Sequence, residues 1–209
     1  MPTEHRGVLS GTGRRFALVA SRFSRVITEQ LVRGAIDCLE QHGCSPDDVE
    51  VFWVPGSFEL PLAARHAAES GRFDAVIGLG CVIRGQTPHF EYISKEVAAG
   101  LGRVSWETRI PAIFGVITAD TMEQAIERAG IKQSGRGWEA ALTALEMADL
   151  LARLGPGRRR NEGRYATVDV EEPAGPVRRR ARGPARGPAR GARAGAGERR
   201  ASGRGGKRA

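Results

Sequence analysis

"FDAVIGLGCVIRGQTPHFEYI", residues 73–93, decides the fold. Its first half, through Ile83, is an almost unbroken apolar run rich in Val and Ile. A strand covered on both faces needs such a run. The apolar character stops at Arg84, and helical spacing begins at His89. Gly85 permits a sharp turn. Thr87 reads as the helix N-cap, and Pro88 as the first helical residue, where its missing N–H costs nothing. A helix opening beside a strand tip presents unbonded backbone N–H groups, a site suited to phosphate. A neutral imidazole at His89, beside such an anion, can accept or deliver a proton. Alone, the stretch reads equally well as a capping turn with a surface histidine.

Outward from this stretch the pattern repeats. Residues 14–21, 49–56 and 110–119 read as strands; 27–43, 58–71, 89–108, 121–130 and 137–155 read as helices. Gly43, Gly71, Gly130 and Gly155 stand at helix stops, and Thr121 with Gln124 forms a capping box. Strand and helix alternating four times predict a four-stranded parallel sheet in a three-layer α/β/α sandwich of the flavodoxin-like kind. Ligands of such sheets bind beyond the carboxyl ends of the strands.

The other strand tips carry unusual residues for loops. The first ends in "SRFSR", which places the aromatic Phe23 there. The second ends in "PGSFE", with Gly56 expected to make the turn before Ser57, Phe58 and Glu59. Backbone N–H groups together with the Glu59 carboxylate suit a ring bearing both acceptors and donors. Phe23 as a hydrophobic plug and Glu59 as an ordinary first-turn acid are the plainer alternatives. Arg128 sits near a helix end, where a cation complements the dipole in any case. Cys38, His42 and Cys44 cluster in sequence, yet their spacing fits no zinc pattern and a fourth ligand is lacking. His66 reads as a surface residue of an amphipathic helix.

The chain has 209 residues and a net charge of +8, unevenly placed. Residues 156–209 hold fifteen Arg and one Lys against five acids, a net +11, so the remainder carries −3. This Arg/Gly/Pro/Ala segment lacks the large apolar side chains needed to offset chain entropy, and it is expected to be a disordered tail. Arg-rich tails bind nucleic-acid phosphates, but no interleaved aromatics are present to stack on bases, so a weak contact at most is expected. Residues 1–13 read as a flexible lead and 14–155 as the folded domain. No apolar run approaches the roughly 20 residues of a membrane span, and no secretory signal is visible. Three cysteines, an odd and sparse set, fit a reducing, cytoplasmic setting.

Taken together, "PGSFELPLAA" (55–64), "GCVIRGQTPHFEYI" (80–93), "GVITADTMEQAIERAG" (115–130) and "GWEAALTALEMADL" (137–150) resemble the lumazine synthase family of riboflavin biosynthesis. The likeness runs from about Arg15 to Leu154. It implies condensation of 5-amino-6-(D-ribitylamino)uracil with 3,4-dihydroxy-2-butanone 4-phosphate to 6,7-dimethyl-8-ribityllumazine, phosphate and water, with no metal or organic cofactor. By the same resemblance, Phe23 stacks on the uracil ring, Ser57, Phe58 and Glu59 hold the ribityl chain, and Cys81, Val82 and Ile83 hold the pyrimidine. Gln86 and Thr87 supply phosphate-side backbone donors, Arg128 anchors the phosphate, and His89 transfers protons. Phe114 is implied to reach a neighbouring subunit's site in a homo-pentamer, and in some members twelve pentamers close into an icosahedral shell. The sequence departs from the family at Ser24, often Asn, and at Arg136, which stands for a lysine near the site. A non-catalytic binder on the same fold and a nucleic-acid-associated assembly are the competing classes. Retention of His89, Arg128 and Glu59 together argues for the enzyme.

Overall fold

Alternating apolar runs and amphipathic stretches produce a four-stranded, wholly parallel sheet in the computed structural model, which describes residues 2–130 and 135–155. The strands are β1 (Phe16–Ser21), β2 (Val49–Val54), β3 (Ala75–Ile83) and β4 (Ala112–Ala119), in the order β2-β1-β3-β4. The helices are α1 (Arg25–Gln41), α2 (Leu60–Glu69), α3 (His89–Thr108), α4 (Met122–Ala129) and α5 (Arg136–Leu154). Every strand and helix read from the sequence is present, and no end moves by more than two residues. Residues 131–134 and 156–209, the latter expected from the sequence to be a disordered tail, lie outside the described residues.

The strand order matches the start of the flavodoxin-like order 2-1-3-4-5. The chain steps from β1 to β2 on one side and then crosses to β3 on the other. This reversal puts α1, α4 and α5 on one face and α2 and α3 on the opposite face. Each face has its own core. Leu18, Ile77, Leu79 and Cys81 pack with Leu31, Leu39 and Leu145 on the first. Val19, Val76 and Val82 pack with Leu60, Val97 and Leu101 on the second. Along β3 the two sets alternate, and all but its last residue is buried, as the apolar run requires. At the amino end of the sheet, Arg15 and Arg72 share the Glu50 carboxylate, and the Arg72 guanidinium lies 4.6 Å from the Phe73 ring centroid.

The lead expected to be flexible is bonded to the domain. Val8 N–H donates to Asp149 Oδ2 at 2.8 Å, Gly11 N–H to the His42 carbonyl at 2.8 Å, and Arg153 to the Arg6 carbonyl at 3.0 Å. A Cβ at Gly7 would stand 2.0 Å from the Glu146 carbonyl, so the lead lies directly against α5. The same backbone closeness joins α1 to α5: a Cβ at Gly137 would stand 2.0 Å from the Leu31 carbonyl. At Gly34 a Cβ would meet only Trp138 N, at an ordinary 3.5 Å.

Cys38, Cys44 and Cys81 are free and buried, and burial pushes each thiol up to about 11 from 9.0. His42 Nδ1 lies 2.7 Å from the carbonyl oxygen of Cys38. Among the described residues no helix is long and apolar enough to cross a membrane.

Two outcomes are expected. Gly137→Ala forces α1 and α5 apart and destabilises by about 2 kcal/mol or more, whereas Gly34→Ala stabilises α1 by about 0.5–1 kcal/mol; urea titration of both variants decides. Between pH 9 and 11 the unfolded chain releases thiol protons that the folded chain keeps, so stability falls with rising pH across that window. Urea midpoints should show this decline, and Cys38→Ala should flatten it.

Candidate active site

The carboxyl ends of β1, β2 and β3 surround the point where the strand order reverses, the usual ligand position in such sheets. The tips of β1 and β2 are joined by Arg22 N–H to the Val54 carbonyl (2.8 Å) and Phe23 N–H to the Pro55 carbonyl (3.1 Å). Ser21 Oγ and Thr28 Oγ1 lie 3.1 and 3.5 Å from the Phe23 carbonyl, so the backbone of this turn is fixed while its ring is free. Phe23 is 73% exposed and plugs no core.

After β2, residues Ser57–Glu59 form a short 3₁₀ turn leading into α2. Gly56 is not the hinge expected from the sequence: its φ of −143° is open to any residue. Its role is proximity, since a Cβ there would come within 3.0 Å of Glu59 Oε2. Ser57 is buried because β3 has a glycine beneath it; a Cβ at Gly80 would stand 2.7 Å from Ser57 Oγ and 3.6 Å from Ser21 Oγ. Phe58 and Glu59 face solvent beside it.

At the β3 tip, Cys81 and Val82 are buried and Ile83 is half-buried. Their side chains belong to the two cores, which leaves backbone groups to meet a ligand. Gln86, Thr87 and His89 are exposed. The capping assignment made from sequence does not hold. Helix α3 starts at His89, Pro88 is its N-cap, and no side-chain hydrogen bond caps it. Pro88 has ψ near 1°, so its carbonyl accepts from Glu91 N–H at 3.0 Å and the turn closes one residue later than Thr87 would allow. The capping box of α4 also differs. Thr121 Oγ1 accepts from Gln124 N–H as read, but Gln124 Oε1 accepts from Asp120 N–H rather than from the cap residue.

Arg128 and Phe114 lie elsewhere. Phe114, Thr118, Arg128 and Arg136 line a cavity of about 450 Å³, with Glu127 and Glu139 also on its wall. This cavity runs along the outer edge of β4, over about 13 Å of strand between Phe114 and Thr118. None of the tip residues from Phe23 to His89 lines it. Helix α3, which bears His89, and helices α4 and α5, which bear the two arginines, pack on opposite faces of the sheet. One chain therefore presents two separate groups of the expected site residues. Arg136, set aside in the sequence reading, joins the second group: its Nη2 donates to the Phe114 carbonyl at 2.9 Å. The sequence signal was present, because a cation at the start of a helix runs against the dipole and calls for another reason.

Ser24 has φ 56° and ψ 43°, a left-handed conformation that costs a non-glycine residue about 1 kcal/mol. Asn tolerates it better, which gives a physical sense to the departure at this position. Ser24→Asn is expected to raise stability by about 0.5–1 kcal/mol, read as a higher melting temperature.

The same stretches that build both groups match a known pattern. A family model described as 6,7-dimethyl-8-ribityllumazine synthase matches residues 13–152, which covers all four strands and all but the end of α5. On that match, with the parallel sheet and the tips it positions, the chain belongs to the 6,7-dimethyl-8-ribityllumazine synthase family, a transferase family of riboflavin biosynthesis.

Proposed function

We propose that this chain condenses 5-amino-6-(D-ribitylamino)uracil with 3,4-dihydroxy-2-butanone 4-phosphate. The observation that supports this reading is that Phe23, Ser57, Phe58, Glu59 and His89 all follow the carboxyl ends of β1, β2 and β3, neighbouring strands at the point where the strand order reverses. An aromatic face, a buried hydroxyl, a carboxylate, an imidazole and a helix N-terminus suit an aminouracil bearing a polyol beside a phosphate ester.

The substrate amine attacks the ketone, and loss of water gives an imine. Removal of a proton then expels phosphate, and attack of the second amine closes the ring with loss of another water. No step exchanges electrons with an outside carrier, so the chemistry calls for no redox cofactor. His89 is assigned the proton transfers, worth roughly 10²–10⁴-fold in such roles. The ring stacks on Phe23, Glu59 and Ser57 hold the ribityl chain with Phe58, and backbone groups of Cys81, Val82 and Ile83 meet the pyrimidine. Backbone N–H groups at Gln86 and Thr87 and the start of α3 receive the phosphate.

Arg128, Phe114 and Arg136 are assigned to the site of an adjacent copy. Arg128 has no ion-pair partner among the described residues, which leaves its guanidinium open to an anion. After β1 and β2 the chain exposes Phe23 (73%) and Phe58 (58%), and the first turns of α1 and α2 expose Val26 (80%) and Leu62 (64%), apolar surface that an interface would cover. Setting this surface against the β4 edge of the next copy is a head-to-tail contact, which forms a ring where the rotation between copies closes. The family resemblance supports a pentamer for that ring.

Mixing the two substrates with the protein is expected to yield a fluorescent lumazine; no product sinks the reading. His89→Ala should lower kcat about 10²-fold without abolishing turnover. Arg128→Ala should mainly raise KM for the phosphate substrate. When the two variants are unfolded together and reassembled, about a quarter of the sites regain both groups. With the phosphate substrate held well below KM, failure of the mixture to exceed either parent would place both residues in one chain's site.

A further inference from the structure

The mechanism above leaves Arg84 without a task, although it occupies the first position beyond β3, five residues before His89. We propose that Arg84 is the positioning residue for His89, acting by clamping the uncapped start of α3 to the tips of β3 and β4. This rests on the assignment of His89 to proton transfer.

Three contacts converge on one side chain. Arg84 Nε donates to Asp120 Oδ1 at 2.7 Å, at the end of β4. Its Nη1 donates to Glu91 Oε1, in the first turn of α3. Its guanidinium lies 4.3 Å from the centroid of Phe90. The backbone joins in, with Arg84 N–H donating to the Ala119 carbonyl at 2.9 Å. His89 is adjacent to Phe90 and two residues from Glu91, both of which Arg84 touches. The clamp continues into α4, since Asp120 N–H is held by Gln124 Oε1.

The start of α3 needs such a device. Thr87 makes no cap, Pro88 supplies none, and residues 85–89 are exposed. An unrestrained first turn frays. Charge-assisted contacts from a planar fork fix orientation as well as distance. The same contacts exclude a simpler role. With two carboxylates on its guanidinium, Arg84 is not open to a phosphate, and an anion would have to displace both. Nor is the clamp chiefly a source of stability, because Arg84, Glu91 and Asp120 are each 44% exposed or more, and exposed ion pairs contribute little. What remains is geometry.

The test compares Arg84→Met, Arg84→Lys, Glu91→Gln and the Arg84→Met/Glu91→Gln double variant with the wild type, in the lumazine fluorescence assay and in thermal melts. The wild type must make product; if it does not, the reading of His89 fails before this one is addressed. Arg84→Met is expected to lower kcat about tenfold or more, to raise KM for the phosphate substrate, and to leave KM for the uracil substrate within about twofold. Its melting temperature should stay within about 2 °C. Arg84→Lys should recover part of the loss, because it keeps the charge but not the fork. The double variant should be no worse than Arg84→Met alone, as expected for one shared contact. Wild-type kcat in Arg84→Met overturns the proposal. So does a loss spread equally over both KM values together with a large drop in melting temperature. If Arg84→Met does not fold, Glu91→Gln carries the decision: a reduced kcat with an unchanged melting temperature supports the clamp, and wild-type kinetics overturn it.

Discussion

The structure depends on how closely the α2 and α3 layer approaches β3, and two glycines set that distance. Gly78 and Gly80 point toward the same face. A Cβ at Gly78 would stand 2.8 Å from a Leu101 methyl, and one at Gly80 would stand 2.7 Å from Ser57 Oγ and 3.2 Å from a Leu60 methyl. Glycine in a strand interior carries an entropic penalty of about 0.5–1 kcal/mol. Here the missing side chains let Leu101 seat α3 on the sheet and let Ser57 sink between the tips of β1 and β3. The first contact seats the second half of α3, twelve residues beyond His89, against the middle of β3. The second gives the tip cluster a buried hydroxyl instead of a mobile surface one. One packing constraint thus positions both a fold layer and one group of the proposed site, Ser57.

Much of this was legible because strands and helices carry different periods. The run at 73–83 could only be a strand buried on both faces, and its neighbours alternate with helices in a way that forces parallel pairing. The tip residues followed, since each sits directly after a strand. Other features had no such signal. Alternation gives the order of elements along the chain, but it does not say which face each helix takes. The separation of Arg128 from His89 was therefore invisible. The start of α3 turned on the ψ angle of Pro88, and residue type does not determine it. Gly56 carries the composition of a turn glycine, yet its backbone is ordinary and its smallness serves the Glu59 carboxylate. The lead looked featureless because its ties are backbone groups, and backbone groups leave no trace in a sequence.

The outer edge of β4 poses a separate problem. Edge strands expose unpaired backbone groups and invite adventitious pairing. Here Arg136 bonds the Phe114 carbonyl, and α4 and α5 wall the edge with charged side chains from Glu127, Arg128 and Glu139. Protection is incomplete, because a cavity remains over Phe114 and Thr118. An edge left open beside two arginines is hard to explain for an isolated chain and simple to explain for a surface that a neighbouring copy covers.

The distribution of cations sharpens that argument. In the proposed site a phosphate at the start of α3 would meet backbone N–H groups of its own chain, but the nearest guanidinium in sequence, Arg84, already holds Asp120 and Glu91. Backbone donors alone, in exposed surroundings, work against a high dielectric and mobile counterions. A second guanidinium brought in by a neighbour both adds charge and excludes water, and each effect strengthens the other. In this reading the site and the assembly are one equilibrium: the fraction of complete sites equals the fraction of closed contacts, and dilution removes catalysis before it removes the fold. The chain itself is expected to stay folded through that change, because both cores lie within one copy and, of the contact residues named above, only the half-buried Phe114 packs against them.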